Sequence, residues 1–204
     1  MNPDDFICTH CRYHLPRTDF HLHQDNPVFR KFSGRVNIHS AASFLYFSKG
    51  GIVQEMIGKL KYRGRKDIGI YLGEIYGNDL HESDFDNSFD IIIPVPLHKD
   101  KFKKRGYNQS EQFATGLSKT MDIPTDYLNI IRKTNTNTQT KKGRYARWKN
   151  VEDIFSVNNI ELLKGKHILL VDDVVTTGST LEATAAAILL IPETIISIAT
   201  IACV

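Results

Sequence analysis

The chain has 204 residues and a mass of 23.2 kDa, enough for one sizeable hydrophobic core and a small appendage. Three cysteines give no disulfide framework, no run reaches the roughly 18 apolar residues of a membrane-spanning helix, and acids and histidines stand where a secretion signal needs a basic lead, so a cytoplasmic location is expected. The formal charge of +3 is unevenly spread: Lys59–Lys66, Lys99–Arg105 and Arg132–Lys149 hold 17 of the 26 lysines and arginines and one acid, Asp100.

In chain order, residues 1–35 form an N-terminal Cys/His segment. Cys8 and Cys11 have the spacing of half a zinc knuckle, and His10, His14, His21 and His23 lie close enough in sequence to supply further ligands, for example His21 with His23 closing a tetrahedral Zn2+ site, although a one-residue gap between histidines is tight. A degenerate site or a domain contact fits the same residues. Phe44–Phe47 reads as a short strand, and Ile52–Leu60 as a helix because Ile52, Val53, Met56, Ile57 and Leu60 share one face. A second helix is expected over Ile68–Tyr76. Asp90–Val95 is an apolar strand stopped by Pro94 and Pro96, followed by a basic loop, Leu97–Tyr107, and a helix from Gln109 to Ser118.

The stretch Asn135–Val151 contains no acid and no clear periodicity, as expected of a functional lid. After it, Ile168–Val171 reads as a strand covered on both faces and ending at Asp172 and Asp173. Ser179 and Glu182 have capping-box spacing ahead of an alanine-rich helix. Ile195–Val204 closes the chain as a core strand. Helices alternating with strands imply an α/β fold, an open and mostly parallel sheet with helices on both faces.

The segment after Val171 carries the most chemistry. Backbone N–H groups of Thr176, Thr177, Gly178, Ser179 and Thr180 lie where a helix leaves its first donors unpaired, and the hydroxyls add further donors for a phosphate. Asp172 and Asp173 would repel that phosphate. They suit sugar hydroxyls or a nearby divalent cation, so the combination asks for a phosphorylated sugar. Adjacent acids that merely solvate a turn are the plainer alternative. The concentrated positive charge calls for an anion. A diphosphate suffices, and single-stranded DNA would also fit, with Tyr62, Tyr107, Tyr145 and Trp148 available for stacking. Lysines kept for solubility are the bland alternative.

VDDVVTTGST resembles the phosphoribosyl pyrophosphate signature of type I phosphoribosyltransferases. With LKYRGRKDIG at Leu60–Gly69, IIIPVPLHKDKFKKRGYNQS at Ile91–Ser110 and NTQTKKGRYARWKNV at Asn137–Val151, the chain resembles the competence-associated ComF family over roughly Gly50–Val204. The resemblance implies a phosphoribosyltransferase-like domain over residues 36–204 with a mobile hood at 135–151. It implies phosphoribosyl pyrophosphate with Mg2+ as ligand, catalytic Asp172, Asp173 and Arg144, and ligand-binding Lys104, Arg105, Val174, Val175, Thr176, Thr177, Gly178, Ser179 and Thr180. Pro94–His98 would lie at the pyrophosphate loop. Gly143 stands where the family often has serine, and the second cysteine pair common after CTHC is absent, which leaves Cys8, Cys11, His21 and His23 as candidate zinc ligands. The family role implied is DNA uptake and transformation, beside a competence helicase. A non-catalytic module for single-stranded DNA or a protein partner is the alternative. Without an N-terminal cysteine nucleophile or room for a glutaminase domain, a complete glutamine-dependent amidotransferase is not expected.

Overall fold

A computed structural model of the protein describes residues 7, 9–83, 85, 89–133 and 154–204. Its central sheet has four parallel strands in the order β1-β6-β5-β2, where β1 is Ser40–Tyr46, β2 Ile91–Pro94, β5 His167–Val175 and β6 Ile195–Cys203. A separate antiparallel pair joins β3 (Ile130–Arg132) to β4 (Phe155–Val157). The apolar run Ile168–Val171 is fully buried, as expected for an inner strand of a parallel sheet covered on both faces. β1 begins at Ser40, four residues before the expected Phe44. Ala41 and Ala42 are buried, yet such small side chains give a weak hydrophobic signal.

Two long helices, α3 (Ile52–Tyr62) and α4 (Lys66–His81), connect β1 to β2, and α6 (Gln109–Met121) follows β2. Helix α4 extends past the expected Tyr76 through Gly77 to His81. Glycine costs helix propensity, but here it admits α6: a Cβ on Gly73 would stand 2.4 Å from the Phe113 carbonyl oxygen, and one on Gly116 2.1 Å from that of Ile70. The alanine-rich helix α7 (Ser179–Ile188) joins β5 to β6. The β1-to-β2 and β5-to-β6 connections run in opposite directions across the sheet, so right-handed crossovers put α7 on the face opposite α4 and α6.

Two expectations are corrected here. The basic segment after β2 is a helix, α5 (Lys99–Arg105), rather than a loop. Its N-terminal turn holds Asp100, its last turn Lys103, Lys104 and Arg105, and Gly106 ends it at φ 77°, an arrangement that suits the helix dipole and a left-handed cap. The N-terminal segment is also no separate appendage from Leu15 onward. It contributes α1 (Thr9–Tyr13), a 3₁₀ turn at Phe20–Leu22 and α2 (Pro27–Arg30), and Leu15, Phe20, Val28 and Phe32 enter the same core as the sheet. Backbone bonds tie it to β1, with Thr18 N–H donating to Phe44 O (3.0 Å) and Tyr46 N–H to Pro16 O (2.8 Å).

Candidate phosphoribosyl site

Strand β5 does not stop at the two acids; it carries them in its ladder and continues to Val175, which pairs with Cys203. Successive side chains of a strand leave opposite faces, so the acids acquire different partners. Asp172 accepts a hydrogen bond from Ser110 Oγ at 2.8 Å and another from the Asp173 N–H at 2.8 Å. Asp173 is paired with Lys61, whose Nζ lies 2.9 Å away at the end of α3. Burial, then the charge of Asp173, pushes the Asp172 carboxyl up to about 7. Arg132, stacked over Phe155 with 5.5 Å to the ring centroid, adds a cation that interacts with Asp172. Sequence spacing alone does not pair Lys61, Ser110 or Arg132 with the acids. Lys61 stands in the basic run Lys59–Lys66 and in LKYRGRKDIG, and Ser110 in RGYNQS, but neither spacing says which acid each would meet.

The residues of the loop beyond β5 lie largely at the surface. Thr176, Thr177 and Ser179 are exposed, Thr180 is partly so, Val174 is half-buried and Val175 buried. Gly178 takes φ 77° and precedes α7 as its cap, with no side-chain cap bond. The expected Ser179–Glu182 capping box is therefore not formed. Ser179 Oγ instead lies 3.0 Å from Thr177 Oγ1, and the Glu182 carboxylate is drawn to Arg35. The charge pair takes the carboxylate that a box would have turned back on the helix.

The exits of β2 and β5 share one rim. Val95 N–H donates to Val171 O (2.8 Å), and Asn108 joins that rim to α6 by donating to Val95 O (2.9 Å) while accepting from Ser110 N–H. Asn108 thus both caps a helix and holds the turn. Above it, Lys104 is exposed, whereas Arg105 donates to Gln109 Oε1 (2.6 Å) and lies over the Tyr62 ring at 5.3 Å. Tyr107 packs below, its hydroxyl bonded to Leu60 O and its ring under Lys66 Nζ at 5.0 Å. The basic end of α3 thus reaches the acid pair through Lys61 and meets the end of α5 through the Arg105–Tyr62 contact. A magnesium ion fits this donor set, since Mg2+ is commonly held by one or two carboxylates together with substrate phosphates.

Arg144 and the hood at 135–151 lie outside the described residues, as does Cys8. Among the described residues no three His, Cys, Asp or Glu side chains form a metal-binding cluster. Cys11 is partly buried, and His21 packs edge-on against Tyr76 at 5.7 Å. Its Nδ1 is buried without a hydrogen-bond partner among the described residues, and burial lowers the imidazole pKa. That favours the neutral form able to ligate a metal. No described helix is long and apolar enough to cross a membrane.

The phosphoribosyl transferase domain family matches residues 107–202, which contain α6, the acid pair and the loop. Competence protein F of Haemophilus influenzae is 43% identical over 97 residues, covering 46% of this chain and 41% of that protein. Competence protein ComFC of Bacillus subtilis is 26% identical over 210 residues, covering 93% of this chain and 80% of that protein. The DNA utilization protein YhgH of Escherichia coli O157:H7 is 39% identical over 92 residues, covering 45% of this chain and 39% of that protein. The chain thus spans about two fifths of the length of competence protein F and of YhgH, and four fifths of ComFC. The acid pair ahead of the Thr-Thr-Gly loop lies within the matched phosphoribosyl transferase domain, and along 93% of its length the chain is similar to competence protein ComFC, so its likeness is to phosphoribosyltransferase-like competence proteins.

Proposed function

We propose that this protein binds phosphoribosyl pyrophosphate with Mg2+ in the crevice above β2 and β5 and transfers its phosphoribosyl group to an acceptor in the cytoplasm. The observation that carries the reading is the acid pair set in β5 directly before an exposed hydroxyl loop, with Lys61 of the basic end of α3 against it. In this reading Thr176, Thr177, Gly178, Ser179 and Thr180 hold the 5-phosphate, while Asp172 and Asp173 accept from the ribose hydroxyls. Sugar binding draws Lys61 away from Asp173, or takes the hydroxyls alongside it. Lys104 and Arg105 meet the pyrophosphate, Arg105 with the planar donor set suited to bidentate contact. Magnesium, when bound, supplies positive charge at the leaving oxygens. Arg144, in the hood, adds charge there as the anomeric carbon–oxygen bond breaks and excludes water.

Calorimetric titration with phosphoribosyl pyrophosphate and magnesium tests this directly. Asp172→Asn with Asp173→Asn removes two charged acceptors, which weakens binding at least about tenfold. Equal affinities in wild type and double variant, or no binding by either, would sink the site assignment.

A second reading, a single-stranded DNA module of the competence machinery acting beside a helicase, is favoured by the exposure of Lys99, Lys101, Lys103 and Lys104 on α5 and by the names of the relatives. Arg144→Ala separates the two. An enzyme loses pyrophosphate release far more than ground-state binding. A DNA module loses affinity modestly, with a smaller salt slope.

A further inference from the structure

We propose that Arg35 is the positioning residue of the phosphate loop, and that the segment 26–36 thereby prepares the loop for the 5-phosphate of a sugar phosphate, an inference that rests on the sugar-phosphate reading above. Arg35 Nη1 donates to Thr177 O at 2.8 Å and to Lys31 O at 2.9 Å, and its Nη2 pairs with the Glu182 carboxylate. One guanidinium therefore joins α2, the loop and the first turn of α7.

Two consequences follow from elementary geometry and charge. The described residues contain no cis peptide bond, and in a trans peptide the carbonyl and the following N–H point in opposite directions. Holding the Thr177 carbonyl toward Arg35 sends the Gly178 N–H away from it, and so fixes the direction in which that donor is offered. Glu182, in the first turn of α7, would oppose a phosphate at that helix end. Arg35 neutralises it.

The brace is itself held at both ends. The Asn26 side chain accepts from Val28 N–H (2.9 Å) and Phe29 N–H (3.0 Å), and donates to Ala41 O of β1 (2.7 Å) and to His23 O (2.8 Å). Lys31 Nζ donates to Val204 O at 3.1 Å. The fully buried Phe32 ring sits against Gly178 so closely that a Cβ there would stand 2.9 Å from it. A loop with exposed hydroxyls is thus seated on a rigid floor made by a segment near the other end of the chain.

Arg35→Met in the full chain should weaken ribose 5-phosphate binding about tenfold, the scale of a lost charged hydrogen bond, while pyrophosphate binding in magnesium stays within about twofold. Amide hydrogen exchange over residues 176–180 of the ligand-free variant should be faster than in wild type. Adding Glu182→Gln to Arg35→Met should leave ribose 5-phosphate binding weak, because the Thr177 carbonyl is still unheld. Arg35→Lys, a smaller change should the methionine variant fail to fold, keeps the charge but not both carbonyl bonds and should fall between the two. The proposal is overturned by equal ribose 5-phosphate affinity in Arg35→Met and wild type, by equal losses for both ligands, or by unchanged loop exchange. If wild type binds neither ligand, the sugar-phosphate reading fails. The exchange measurement then decides Arg35 alone, faster exchange supporting the brace and unchanged exchange refuting it.

Discussion

Lys61 Nζ lies 2.9 Å from the Asp173 carboxylate, across 112 positions of sequence, with the two side chains only 20% and 14% exposed. At that depth solvent screens the pair weakly, and removing one partner leaves the other charge uncompensated. Lys61→Met should lower the unfolding free energy by about 1–3 kcal/mol. Asp173→Asn in the same background should recover part of the loss, giving a coupling of about 1 kcal/mol in a double-mutant cycle. Urea unfolding of the four proteins measures it; additive effects would show that the pair contributes no specific interaction.

Asp172 makes stability depend on pH in a direction unusual for a carboxylate. Burial and the neighbouring Asp173 raise its pKa to about 7 from an ordinary value of 3.8. Between those values the folded chain holds a proton that the unfolded chain has released. The contribution of Asp172 is therefore fully present below the unfolded value and is lost as pH rises toward the folded one. Asp172→Asn should flatten that decline and raise the melting temperature at pH 8 by about 2–4 °C, the shift associated with roughly 1 kcal/mol in a chain of this size. Parallel melting curves for the two proteins from pH 5 to 8 would contradict the assignment. Ribose binding should strengthen over the same window as the carboxylate ionises.

Gly178 and Gly116 answer to different constraints. Gly178 has φ 77° and the Phe32 ring beside it, so Gly178→Ala should cost about 1–3 kcal/mol and also weaken sugar-phosphate binding. Gly116 faces backbone, the Ile70 carbonyl oxygen, and Gly116→Ala should destabilise by about 1–3 kcal/mol or more. Binding per folded molecule should then stay unchanged. Thermal unfolding with calorimetry on each variant separates the two, and intact ligand binding in Gly178→Ala would remove that glycine from the site.

For the N-terminal segment, we expect one zinc per chain in untagged protein, held by Cys8 and Cys11 with histidine partners. The buried Nδ1 of His21, without a hydrogen-bond partner among the described residues, in an imidazole whose pKa burial lowers, is the structural observation in favour. Metal analysis after chelator-free purification checks it. A content near zero would remove the zinc, and His21→Gln should lower a content near one.

The strand–loop–helix around Asp172 was legible in the sequence because its causes are local: an apolar run long enough to be buried on both faces, a glycine needed at φ 77°, and alanines that favour the following helix. The α5 helix was also encoded locally, but its lysines read equally well as a solvated loop. What the acids and the loop touch was decided only by tertiary packing. Ser110 reaches Asp172 across 62 positions, Lys61 reaches Asp173 across 112 and Arg35 reaches Thr177 across 142. Periodicity and capping rules speak to residues a few positions apart. These three contacts exist because parallel strands gather their exits at one rim and because Phe32 must be buried, which draws the N-terminal segment beneath a loop its own spacing never mentions.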